Sequence, residues 1–70
     1  MNIEITTEYI KLDQLLKFSG IAVTGSDAKQ LILDGNVSVN GEPCTMRGKK
    51  IRSGDSVSVG GDVITVSRKG

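Results

Sequence analysis

The run Ser26-Asp27-Ala28-Lys29-Gln30-Leu31-Ile32-Leu33-Asp34-Gly35-Asn36-Val37-Ser38-Val39-Asn40-Gly41 changes its apolar period part-way along, and that change decides the fold. Up to Gly35 the apolar residues recur at helical spacing. Ala28, Leu31 and Ile32 line the inner face of a helix, Lys29 and Gln30 turn to the other side, and Leu33 falls between the two. Ser26 fits the N-cap, Asp27 suits the positive end of the helix dipole, and Gly35 fits the left-handed residue that ends the helix. Past Gly35 the period becomes two: Val37 and Val39 alternate with Ser38 in a strand, and Asn40-Gly41, both tolerant of positive φ, turn it into a hairpin.

The flanks extend the same logic. Leu12, Leu15 and Leu16 repeat helical spacing over residues 11–19, with Gly20 as a stop and residues 20–25 as a connection. Ahead of them Ile3 and Ile5 alternate with polar neighbours in a short strand. Downstream, a strand starting at Glu42 is interrupted by Pro43, so it belongs at a sheet edge or carries a bulge. Ser53-Gly54-Asp55 and Gly60-Gly61-Asp62 are turns, and Val57 with Val59, then Val63, Ile64 and Val66, mark two more strands. The expected fold is α+β, with two short helices packed on one face of a small antiparallel sheet of three to five strands. Residues 1–70 make one domain.

A chain of 70 residues has a marginal core and no room for a deep catalytic cleft. It contains no His and a single Cys, so neither a disulfide within the chain nor a zinc constellation is expected, and Cys44 reads as a small strand-edge residue. No nucleophile-base pair, paired carboxylates or Gly-Lys-Ser/Thr phosphate cradle is present, which argues against an enzyme. No apolar run approaches the roughly 20 residues of a membrane span. With Glu4 and Glu8 in place of a basic leader, a cytoplasmic location is expected.

Charge is the functional signal. Arg47-Gly48-Lys49-Lys50-Ile51-Arg52 places four cations in six residues, and no acid lies between Pro43 and Gly54. In a chain of net charge +1 that concentration points to an anionic partner. Gly48 would let backbone N–H groups approach phosphate oxygens, while Lys11 and Lys17 flank the stripe of the first helix and Lys29 stands on the outer side of the second. Ser26 is read as a cap that can also seat a phosphate, and Asp13 as a group that orients a neighbour or is simply solvated.

Lys11-Leu12-Asp13-Gln14-Leu15-Leu16, Ser26-Asp27-Ala28-Lys29-Gln30-Leu31-Ile32, Gly35-Asn36-Val37-Ser38-Val39-Asn40-Gly41 and Gly54-Asp55 resemble, in order and spacing, the RNA-binding domain named for small-subunit ribosomal protein S-four. The resemblance covers residues 11–59. Thr24-Gly25 and the Arg47-Gly48-Lys49-Lys50 run make the chain most similar to the stand-alone bacterial members of the YaaA/YbcJ type. It implies binding to structured RNA, ribosomal or transfer, through the two-helix face and the following loop. It is also consistent with association with the ribosome; since nothing in the chain demands a dimer, a monomer is expected, with neither cofactor nor catalysis. The contacts it implies are Lys11, Lys17, Ser26, Lys29, Gln30, Arg47, Gly48, Lys49, Lys50 and Arg52. Two departures stand out: Gly25 replaces an Arg common in relatives, and Lys11 replaces another, so one bidentate phosphate contact is lost and one becomes a point charge. Tyr9 and Phe18 are the only aromatics, so recognition by shape and phosphate is expected instead of base stacking.

Two other readings compete. A protein-protein adaptor would dock the basic loop on an acidic subunit. A ubiquitin-like sulfur carrier would use the C-terminal glycine, although the chain ends Lys69-Gly70 and its helices precede the main hairpin.

Overall fold

The computed structural model describes residues 1–69. Its elements, in chain order, are β1 (Asn2–Ile5), β2 (Ile10–Lys11), α1 (Leu12–Phe18), α2 (Gly25–Leu33), β3 (Val37–Val39), β4 (Glu42–Pro43), β5 (Lys50–Ile51), β6 (Ser56–Val59) and β7 (Asp62–Arg68). Gly70, on which the sulfur-carrier reading turns, lies outside the described residues. No helix among the described residues is long and apolar enough to cross a membrane.

Five strands form one sheet in the order β1-β7-β6-β3-β4, and β2 with β5 forms a separate two-stranded ladder. The α+β class holds, with one correction to the sheet. It is antiparallel from β7 to β4, but β1 runs parallel to β7, with Asn2 opposite Thr65 and Ile5 opposite Arg68. A parallel neighbour needs a long crossover, and here the rest of the fold supplies it. The Thr65 N–H donates to the Met1 carbonyl at 2.8 Å and the Lys69 N–H to that of Ile5 at 2.9 Å, fastening both ends. β4 is the short edge strand that Pro43 demands.

Local chemistry sets the helix ends. The N-cap of α2 is Thr24, not Ser26: its extended backbone leaves the hydroxyl free to accept from the Asp27 N–H at 3.1 Å. Gly25 already takes helical dihedrals, so Ser26 is the second helical residue and too far along to cap. At the other end the Gly35 N–H donates to Ile32 and the Asn36 N–H to Leu31, each at 3.2 Å, with Gly35 at φ +79°. These are the paired bonds of a Schellman stop. Asn40 and Gly41, at φ 52° and 85°, make the tight turn between β3 and β4.

The core is continuous. Leu12, Leu15 and Leu16 of α1 and Ala28 and Ile32 of α2 are fully buried against Val37, Val57 and Ile64 of the sheet, with Ile51 beside them. Leu31 is half-buried and packs against this cluster at the edge of the inner face. At 3.6 residues per turn it sits roughly 60° from Ala28 and 100° from Ile32, on the flank of the stripe. Leu33 is 53% exposed, as its angle predicts.

Candidate nucleic-acid interface

The basic segment is not a free loop. Ile51 is fully buried and pairs with Ile10, so Lys50–Ile51 is a strand whose apolar residue anchors the cations on either side. The backbone before it is tied to α1. Lys11, the N-cap of that helix, offers no side-chain cap; instead the Lys49 carbonyl accepts from the Leu12 N–H at 2.9 Å and the Arg47 carbonyl from the Asp13 N–H at 3.1 Å. Two N–H groups that a helix start leaves orphaned are thus satisfied by the basic segment. The backbone that carries its cations is held beside Lys11 as a result.

After Ile51 the chain turns at once. Asp55 accepts from the Arg52 N–H at 2.8 Å and from the Asn40 side-chain amide at 3.1 Å. Its carboxyl is held below the usual range, first by the Arg52 N–H; partial burial works against this, and the Asn40 amide and the charges of Lys49 and Arg52 add to the lowering. Gly48 is not among the positive-φ glycines, and a Cβ there would meet no atom within 4 Å, so it presents open backbone. Among the described residues no lysine or arginine side chain takes part in a hydrogen bond.

The S4 domain model aligns with residues 3–67. The chain belongs to the S4 domain family. A Bacillus subtilis (strain 168) protein described as a probable ribosome maturation protein RlbA is 41% identical over 59 residues, 84% of this chain and 83% of that one.

Within this S4 domain the candidate residues fall into two groups, with Lys17 apart from both. Lys11, Arg47, Gly48, Lys49 and Lys50 surround the start of α1, and Arg52 follows on the next turn. Lys17 is exposed in the last turn of α1, where it also complements the helix dipole. Ser26, Lys29 and Gln30 are exposed on α2, with no hydrogen bond or strand register joining them to the basic segment. Gln30 is engaged locally: its amide donates to Asp34 at 2.8 Å. Asp13 accepts from the Gln14 N–H at 2.8 Å. Sequence reasoning missed Tyr9, whose ring lies 5.0 Å from the Lys50 ammonium. The usable signal was its place two residues before Lys11, on the same side of an extended segment.

Proposed function

We propose that this S4 domain is a non-catalytic module that binds structured RNA, ribosomal or transfer, mainly through phosphate contacts and shape, and that it acts at the ribosome or during its maturation in the cytoplasm. The observation that carries this is the set of cations held around the start of α1. The backbone at Arg47 and Lys49 is held through their carbonyls and that at Lys50 by the ladder, and none of the three side chains has a hydrogen-bonded partner among the described residues. Solvated charges carried on an anchored backbone gain from releasing the counterions of an RNA backbone. Family membership supports RNA as the partner class, and the resemblance to a probable ribosome maturation protein supports the ribosomal setting.

Crosslinking in cells followed by sequencing of the attached RNA tests the proposal. Recovery of one structured RNA class, lost on Arg47→Glu with Lys49→Gln, is expected. A partner set of proteins that survives nuclease treatment and ignores that variant would instead favour the adaptor.

A further inference from the structure

The ladder of β2 and β5 sets Lys11 directly opposite Lys50. Side chains alternate across a strand, and Ile10 and Ile51, the other opposed pair, pack toward the core. Lys11 and Lys50 therefore stand together on the outer face, and both are exposed. Opposed Cβ atoms lie about 5 Å apart, and like charges so placed destabilise the pair. No carboxylate hydrogen-bonds to either ammonium among the described residues. Folding alone gives no reason for this juxtaposition, whereas an anion between the two ammonium groups would turn the repulsion into a clamp.

Tyr9 shares that outer face, two residues before Lys11. Its ring is half-buried, its carbonyl accepts from the Thr7 hydroxyl at 2.8 Å, and the Lys50 ammonium lies 5.0 Å from the ring centroid. That distance is within cation-π range, and the contact leaves ammonium N–H donors for a further partner. The ring thus restricts an otherwise freely rotating four-carbon stem and holds its charge beside Lys11.

We propose that Lys11 and Lys50 clamp a single backbone phosphate of the bound RNA, and that Tyr9 is the positioning residue for the Lys50 half of the clamp. This rests on the RNA reading above and adds the ligand group, its two contacts and a third residue that acts through one of them.

The test is a set of double-mutant cycles on binding to a synthetic RNA hairpin, with melting temperature recorded for each variant. Lys50→Ala should weaken binding about fivefold, the loss of one solvent-exposed ionic contact. Tyr9→Leu should weaken it about threefold through the lost ring contact. The double variant should bind no worse than Lys50→Ala, and Tyr9→Phe, which keeps a ring face, should bind like the parent. Lys11→Ala with Lys50→Ala should reduce the log-log salt slope by about 0.7 to 0.9, the value for one phosphate and not two. Additive losses in both cycles, with a slope change near twice that, would overturn the clamp while leaving RNA binding intact. A folded parent that fails to bind the hairpin would overturn both. Should Tyr9→Leu prevent folding, the lysine cycle alone decides.

Discussion

Asn40 and Asp55, fifteen residues apart, lock the hairpin turn to the turn that follows the basic segment: the Asn40 amide donates to the Asp55 carboxylate at 3.1 Å. The Asn40 side-chain oxygen accepts from the Ser56 N–H at 2.9 Å, and the Asn40 N–H donates to the Ser56 carbonyl at 2.7 Å. One residue thus satisfies two positions while adopting the left-handed backbone that the turn requires. Asn40→Ala should destabilise the domain by about 1 to 3 kcal/mol, because it strips these partners from partly buried groups and replaces a residue that tolerates the left-handed backbone by one that does so less well. Urea unfolding measures this, and an unchanged midpoint would mean that the network does not contribute.

Asp55 also carries a pH dependence, set first by the Arg52 N–H and then, against partial burial, by the Asn40 amide. The folded pKa of Asp55 lies below its unfolded value, so its contribution is fully present above the unfolded pKa and is lost as pH falls through the folded one. Stability of the parent should therefore fall as pH drops below about 4, and Asp55→Asn, which cannot titrate, should fall less steeply there. Equal slopes in urea midpoint against pH would contradict this assignment.

Thr24 and Ser26 should separate cleanly by thermal melting. Thr24→Ala removes the cap of α2 and should cost about 0.5 to 2 kcal/mol, whereas Ser26→Ala, at an exposed helical position, should stay within about 0.5 kcal/mol. The reverse ranking would move the helix start.

On α2 the stability effects should follow burial. Ile32→Ala should cost about 2 to 5 kcal/mol, since Ile32 is fully buried, and Leu31→Ala should cost less because its side chain is only half-buried. Lys29→Ala should leave melting nearly unchanged. If Lys29→Ala unfolded the domain, the helix would be rotated from the orientation described.

The legible parts of the fold were those encoded locally. The Leu12, Leu15 and Leu16 stripe, the Gly35 stop and the Asn40-Gly41 turn each follow from spacing or φ preference among near neighbours. Less legible was anything set by distant partners. The parallel pairing of β1 with β7 joins the two ends of the chain, and the two-residue strand at Lys50–Ile51 is too short to show a period. The cap was misplaced because Thr24 and Ser26 are both competent hydroxyls, and only the backbone at Gly25 decides between them. In the candidate site, charge density was visible in sequence, but the anchoring of the backbone that carries it was not: that comes from backbone bonds to α1 and from the burial of Ile51.

The most direct measurement is the affinity of the intact protein for a structured RNA hairpin as a function of salt. With about four to six phosphates neutralised by the segment around the start of α1 and the helix lysines, the slope of log affinity against log salt should be about −3 to −5. Arg47→Glu with Lys49→Gln should flatten it while leaving the melting temperature nearly unchanged. A slope near zero for the parent, or an unaltered slope in that variant, would contradict the claim that these cations form an RNA-binding surface.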